Sequence, residues 1–165
     1  MENSKEHVLV VVEIPQGSRN KYEYDEKLGR FKLDRMLFSS VHYPNDYGYI
    51  LDTLGEDADP LDAMVIVGEA TYPGIVIEAK PIGLFKMIDE KGIDDKILCV
   101  PVNDPLWNWV NDLSDVPKHY LKEIEHFFDV YKDLEKKKTA VEGWADKKSA
   151  LKIIAESRER FKKDS

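Results

Sequence analysis

Short segments rich in Val and Ile, separated by Gly and Pro, fill the first two-thirds of the sequence. Each has the length of a strand, and their close spacing is typical of a small barrel. The predicted strands are residues 8–14, 21–25, 30–34, 63–67, 76–87 and 96–102. A turn through Leu28-Gly29 joins the second strand to the third and predicts a hairpin. The pattern therefore predicts a mainly β structure.

The apolar period becomes helical after residue 115. The first predicted helix has Pro117 in its first turn and includes the adjacent pair Tyr131-Lys132. A second helix is predicted from about residue 147 to 162, with Asp146 as its N-cap. The length suits one globular domain over residues 1–165, of the α+β class, with the two helices packed on the barrel.

The charged run Glu135-Lys136-Lys137-Lys138 is interpreted as the solvated end of the first helix, where basic residues suit the helix dipole.

The formal net charge is −8, from 32 acidic and 24 basic residues. This balance disfavours nucleic acid and anionic membranes as partners. The segment Met1–Glu6 is polar, which predicts neither a signal peptide nor a membrane span. The single cysteine, Cys99, lies in an apolar stretch, so we expect a buried thiol and a reducing, cytoplasmic location.

The segment Asp57-Ala58-Asp59-Pro60-Leu61-Asp62 places three carboxylates within six residues, and its proline opposes a regular helix. In an extended chain Asp57 and Asp59 point to one side, and a turn at Pro60 can bring Asp62 back toward them. Oxygen ligands without a Cys or His cluster favour magnesium or manganese over zinc. The alternative is that these acids cap turns and solvate the surface.

A second acidic group, Asp89, Glu90, Asp94 and Asp95, surrounds Gly92 in what is predicted to be a loop, and the two acidic loops could face each other. An EF-hand does not fit the first group, because its sixth position would be Asp62 instead of Gly and its twelfth Gly68 instead of Glu.

Further polar residues accompany the first strands. Glu13, Lys21, Glu23 and Arg35 lie on or beside them, where charges face a groove or water. The segment 42–49 adds three tyrosines in a predicted turn, whose hydroxyls can donate to phosphate oxygens. Packing in an aromatic core is an equal alternative for Tyr43 and Tyr49. The sequence has no Gly-rich P-loop and no G-x-G-x-x-G motif, so neither familiar mode of nucleotide binding is supported.

Together these residues resemble family I soluble inorganic pyrophosphatases over nearly the whole chain, and the D-x-D-P-x-D motif at Asp57 is specific for that family. The resemblance also rests on the following residues: Glu13, Lys21, Glu23, Arg35, Tyr43, Tyr47, Tyr49, Asp89, Asp94, Lys96, Tyr131, Lys132, Phe127-Phe128 and Val141–Trp144. It implies a five-stranded OB-like barrel with flanking helices. It also implies hydrolysis of inorganic pyrophosphate to two orthophosphates by a metal-activated water, with several Mg²⁺ ions.

The resemblance assigns roles to individual residues. The implied metal ligands are Asp57, Asp62, Asp94, Asp89 and Glu13. The implied phosphate-binding residues are Lys21, Arg35, Tyr47, Lys96, Tyr131 and Lys132, of which Arg35 and Tyr47 also serve catalysis. Asp59 is the candidate general base and Asp94 the second candidate, since a tightly bound ligand is a poorer base. Short members of the family imply a homohexamer.

Two alternatives stay open at this stage. A non-enzymatic OB-like module would bind oligonucleotides or oligosaccharides through exposed aromatics and a basic groove, and the acidic loops argue against it. A metal-dependent phosphatase for organic phosphates would use the same carboxylates, and a panel of substrates would separate it from a pyrophosphatase.

Overall fold

The structure is a computed structural model that describes residues 6–165, so the prediction for the polar N-terminus lies mainly outside the described residues. The strands are β1 Val8–Ile14, β2 Asn20–Asp25, β3 Arg30–Met36, β4 Asp46–Ile50, β5 Asp62–Val65, β6 Val76–Asp89, β7 Gly92–Ile93, β8 Lys96–Pro101 and β9 Ala140–Ala145. The helices are α1 Lys118–Val130 and α2 Lys147–Asp164.

Five of the strands close into a ring. Their order is β1, β4, β5, β8 and β6, and β6 pairs again with β1. All neighbours are antiparallel except β5 and β8, which run parallel. The alternation of side chains directs one face of each strand to the interior. The predicted five-stranded barrel with flanking helices is confirmed.

Two apolar clusters stabilise this arrangement. One joins the barrel to α1 through Phe85, Phe127 and Phe128, and the other joins it to α2 through Ala150 and Ile154. Cys99 belongs to the second cluster and is fully buried, as predicted. Burial raises the pKa of its thiol well above the ordinary value, which keeps it unreactive.

Strand β4 was not predicted, because its tyrosines and glycine resemble a turn. Gly48 occupies its centre, where a Cβ atom would lie 1.8 Å from the carbonyl oxygen of Val11 on β1. Only glycine permits so close an approach of the two backbones. The strand β9 was also missed, although its residues belong to the segment that supported the family resemblance.

The helices agree with the prediction except at one end. The side chain of Asp146 accepts from Ser149 N at 2.8 Å and caps α2, as expected. Helix α1 ends at Val130, so the placement of Tyr131 and Lys132 on that helix was wrong: Tyr131 is its C-cap and Lys132 begins the next turn. Within residues 6–165, no helix has the length and apolar character needed to span a membrane.

Strands β2 and β3 form a separate two-stranded sheet, which we call the ribbon. The predicted hairpin is confirmed, and β3 continues two residues beyond the predicted end. A hydrogen bond of 2.9 Å from Tyr24 N to Glu13 Oε2 connects the ribbon to β1.

Candidate active site

The parallel strands β5 and β8 place Asp62 directly beside Lys96. The Lys96 ammonium is 3.2 Å from Asp62 Oδ2 and 3.1 Å from Asp94 Oδ1. It also donates to the Tyr47 hydroxyl at 2.7 Å. Lys96 is only 1% exposed. The barrel therefore holds a buried cation under two carboxylates and a phenol.

These groups shift one another's ionisation. Burial raises the pKa of Asp94 and so does the charge of Asp62, and although Lys96 opposes both, the value reaches about 7. Burial alone would lower the pKa of Lys96, but Asp62 and Asp94 outweigh it and the net shift is upward. Lys96 is therefore an ammonium at neutral pH, and the pKa of Asp94 lies close to neutral pH.

Glu13 on β1 is a third crowded carboxylate. Burial raises its pKa to about 7 and the charge of Asp62 adds to this, while the hydrogen bond from Tyr24 N lowers it. Asp62 thus acts on both Glu13 and Asp94, and it lies at the electrostatic centre of the site.

The turn between β4 and β5 carries the other two members of the acidic motif. Asp57 and Asp59 are exposed, and Asp57 Oδ1 accepts from Asp59 N at 3.1 Å. Partial burial and the charges of Asp57 and Asp62 raise the pKa of Asp59. The motif's three charges therefore act on one another, and the turn remains open to solvent.

The second acidic group lies on a tight β6–β7 hairpin instead of an open loop, and this corrects the prediction. Gly92 has a φ of 123°, a conformation that favours glycine. Lys132 Nζ is 3.3 Å from Asp89 Oδ2 and 3.2 Å from Glu90 Oε2. Burial acts to raise the pKa of Asp89, but the Lys91 backbone N–H and the Lys132 charge lower it overall.

The tyrosines divide between core and site. Tyr43 is 1% exposed and packs on Phe127 with ring centroids 4.8 Å apart, so the core interpretation is correct for it. Tyr47 and Tyr131 line the site, where burial and then nearby carboxylates raise both pKa values well above the ordinary range. Both hydroxyls stay protonated and able to donate. Tyr49 is partly exposed and pairs with Asp62 across β4 and β5.

The ribbon brings the remaining cations to the site. Lys21 forms an ion pair with Glu23 and lies 3.4 Å from Asp34 Oδ2. Arg35 donates to the same Asp34 oxygen at 2.5 Å. On its other side Arg35 is paired with Glu135, whose side chain is 5% exposed.

Two residues of this cluster were not predicted. Asp34 was taken only as the end of a strand. Glu135 was assigned to a solvated helix end, which is wrong because its side chain is buried against Arg35. Its position in a run of lysines hid the contact, which joins residues 100 apart in sequence. No local pattern could have shown it.

Within residues 6–165, no three Asp, Glu, His or Cys side chains are grouped closely enough to hold one ion among them. The acidic side chains at the site nevertheless offer carboxylate oxygens, the ligands that hard divalent cations prefer. Burial, and then the charge of Asp62, raises the pKa values of Glu13 and Asp94, and a bound cation would offset both effects. The chemistry of the donor set therefore fits magnesium or manganese.

These features define an OB-like barrel whose site combines carboxylates with lysine, arginine and tyrosine, the groups that an enzyme acting on a phosphate compound requires. The family model described as Inorganic pyrophosphatase matches residues 10–162. The chain is 55% identical over 152 residues to an inorganic pyrophosphatase of Methanosarcina mazei, covering 92% of this chain and 90% of that one.

Solved structures agree with this match. The crystal structure of inorganic pyrophosphatase from Thermus thermophilus superposes with a TM-score of 0.94 at 44% identity, covering 96% of this chain and 93% of that one. An inorganic pyrophosphatase from Helicobacter pylori gives a TM-score of 0.92 at 38% identity, covering 97% and 96%. The chain belongs to the inorganic pyrophosphatase family. The family predicted from the sequence is confirmed, and with it the class of enzyme, a hydrolase.

Proposed function

We propose that this chain hydrolyses inorganic pyrophosphate to two orthophosphates in the site around Asp62. The observation that carries the proposal is the juxtaposition of carboxylates and cations: Asp62, Asp94 and Lys96 meet on the barrel, and Lys21 and Arg35 border them from the ribbon. Pyrophosphate is a poor electrophile because its negative charge repels a nucleophile, so such a site must supply neutralising charge.

Carboxylates would hold Mg²⁺, with Mn²⁺ as a substitute. The proposed ligands are Asp57, Asp62, Asp89, Asp94 and Glu13. When bound, the metal would supply an activated water at neutral pH and neutralise phosphate oxygens. Asp59 is the proposed base: it is exposed, and its pKa is raised, which makes it a better proton acceptor than an unperturbed carboxylate. Asp94 is the second candidate.

The cations and phenols would bind the phosphate oxygens. The proposed residues are Lys21, Arg35, Tyr47, Lys96, Tyr131 and Lys132. Arg35 can offer a planar fork of donors to the leaving phosphate, and Tyr47 a protonated hydroxyl. Lys96 would also fix the side chains of Asp62, Asp94 and Tyr47, which its buried ammonium contacts. We further propose that the chain is one domain over residues 1–165, that it assembles as a homohexamer and that it is cytoplasmic. Nucleic acid and membranes are not proposed as partners.

The test measures phosphate release from pyrophosphate, ATP and a simple phosphomonoester, with Mg²⁺ and with EDTA. We expect release from pyrophosphate only, dependent on metal, and a decrease of about 10³-fold or more in Asp62→Asn. Asp164→Asn, which removes an exposed charge at the end of α2, is the matched control and should keep full activity. Equal release from all three substrates would indicate a broad phosphatase, and no release with Mg²⁺ would indicate a binding module.

A further inference from the structure

Glu135 is a buried acid next to the proposed phosphate-binding residues. It ends the short 3₁₀ turn Asp133–Glu135, which directly follows Tyr131 and Lys132. Its neighbours in sequence are exposed, whereas its own side chain is 5% exposed and faces Arg35 on the ribbon. A buried charged group is expensive unless it is paired, so this side chain is committed to the contact with Arg35.

The contact occupies a particular edge of the guanidinium group. Arg35 Nε lies 2.7 Å from Glu135 Oε1, and Nη2 donates to Glu135 Oε2 at 3.2 Å. Nε has no acceptor aligned with its N–H bond among the described residues, so the Nε contact is an ion pair by distance. A planar guanidinium held along its Nε–Nη2 edge has its terminal Nη1–Nη2 edge left to face another anion. Asp34 reaches only Nη1 at that edge.

The same contact connects two parts of the fold. The ribbon forms its own two-stranded sheet, and Glu135 belongs to the connection between α1 and β9. The Arg35–Glu135 pair links the ribbon directly to the segment that follows Tyr131 and Lys132, and Tyr22 of the ribbon packs on the apolar cluster that contains Tyr131. It therefore fixes Arg35 next to the turn that follows Tyr131 and Lys132.

We infer that Glu135 is a positioning residue: by holding the Nε–Nη2 edge of Arg35, it aims the terminal edge of that guanidinium at a phosphate group of the substrate. The inference rests on the proposed pyrophosphatase activity. A small displacement of a group that binds the transition state can cost about 100-fold in rate, so loss of Glu135 should lower kcat/KM even though it touches no substrate.

The test is a double-mutant cycle on the full-length protein with pyrophosphate and Mg²⁺. We expect Glu135→Ala to lower kcat/KM by about 10- to 100-fold, and Glu135→Gln, which keeps the shape and loses the charge, to lower it less. In an Arg35→Ala background the further loss from Glu135→Ala should be smaller than about twofold, since the arginine to be positioned is gone. Asp133→Asn, an exposed acid of the same turn, is the control and should retain full activity.

Thermal unfolding of each variant accompanies the kinetics, and the Gln variant serves where the Ala variant does not fold. Equal losses from Glu135→Ala with and without Arg35 would overturn the inference, because a merely structural role acts in both backgrounds. Full activity of Glu135→Gln and Glu135→Ala would also overturn it. An inactive wild-type protein would instead refute the proposed function, so the two failures are distinguishable.

Discussion

The barrel side and the ribbon side of the site contain the same kinds of charge in opposite settings. On the barrel side, defined by Asp62, Asp94 and Lys96, a buried ammonium stands between two carboxylates on paired strands. On the ribbon side, defined by Lys21, Asp34 and Arg35, both the cations and the carboxylate are partly exposed. Burial decides what each contact contributes, since screening by water weakens exposed pairs and spares buried ones.

The two sides also differ in their balance of charge. Burial, with the charge of Asp62 beside it, raises the pKa of Asp94 to about 7, whereas Lys21 and Arg35 outweigh partial burial and lower the pKa of Asp34. The barrel side therefore has unsatisfied negative charge that suits a metal cation. The ribbon side offers cations that share the partly exposed Asp34, and an incoming phosphate can share them in turn. A site of this kind separates the metal-binding task from the phosphate-binding task.

The largest expected effect is from Lys96→Met, which removes the buried ammonium and leaves Asp62 and Asp94 facing each other. Removing one partner of a buried ion pair typically costs about 3–5 kcal/mol. We expect a loss of unfolding free energy of that size in urea at pH 8 without metal, and a smaller loss at pH 5, where Asp94 is protonated. Lys32→Met, an exposed change on the ribbon, should stay within about 0.5 kcal/mol. Equal effects of the two substitutions would remove the distinction between the sides.

An intermediate effect is expected from pH on the metal-free protein. The pKa values of Glu13 and Asp94 are raised to about 7 from ordinary values of 4.5 and 3.8. The folded state therefore binds their protons more tightly than the unfolded state, so this stabilisation is complete below pH about 4 and is lost as pH rises through 7. We expect the unfolding free energy in EDTA to fall by several kcal/mol over that range.

Saturating Mg²⁺ at pH 8 should recover this stability and raise the melting temperature, because a cation that binds only the folded state stabilises it. In Glu13→Gln the unfolding free energy in EDTA should fall less steeply as pH rises. A melting temperature that does not change with Mg²⁺ would contradict this prediction. So would an unfolding free energy in EDTA that does not change with pH, because the buried carboxylates of the barrel side would then have ordinary pKa values.

The sequence predicted the barrel side better than the ribbon side. Strand alternation and the motif around Asp62 are local, so they identified the carboxylates and the elements that carry them. The pairing of Asp62 with Lys96 depends on the parallel register of β5 and β8, which no local pattern specifies. Periodicity correctly placed Tyr131 in the core, where it packs with Phe127 and Phe128, and its proposed role at the site came from the family resemblance.

Two misses have the same physical origin. From the local sequence Gly48 resembles a turn residue, but the backbone of β1 packs directly against it. Glu135 likewise resembles a solvated residue, but Arg35 of the ribbon packs against its side chain. Both residues respond to a partner that is distant in sequence, at Val11 and at Arg35. Local propensity is overridden at such tertiary contacts, and here the second contact borders the site.

The smallest expected effect is from Asp34→Asn, which weakens two partly exposed pairs of the ribbon side. The pKa of Asp34 is lowered in the folded state, so its stabilisation is present above its unfolded pKa of about 4 and is lost as pH falls below that value, opposite in sign to Asp94. We expect a cost below about 1 kcal/mol at pH 7 and low ionic strength. Urea unfolding in 1 M NaCl should abolish the difference, because the Debye length there is about 3 Å. The loss of unfolding free energy in Lys96→Met should persist in 1 M NaCl, because its ion pairs are buried. If salt does not reduce the loss in Asp34→Asn, the ribbon side is as shielded from solvent as the barrel side.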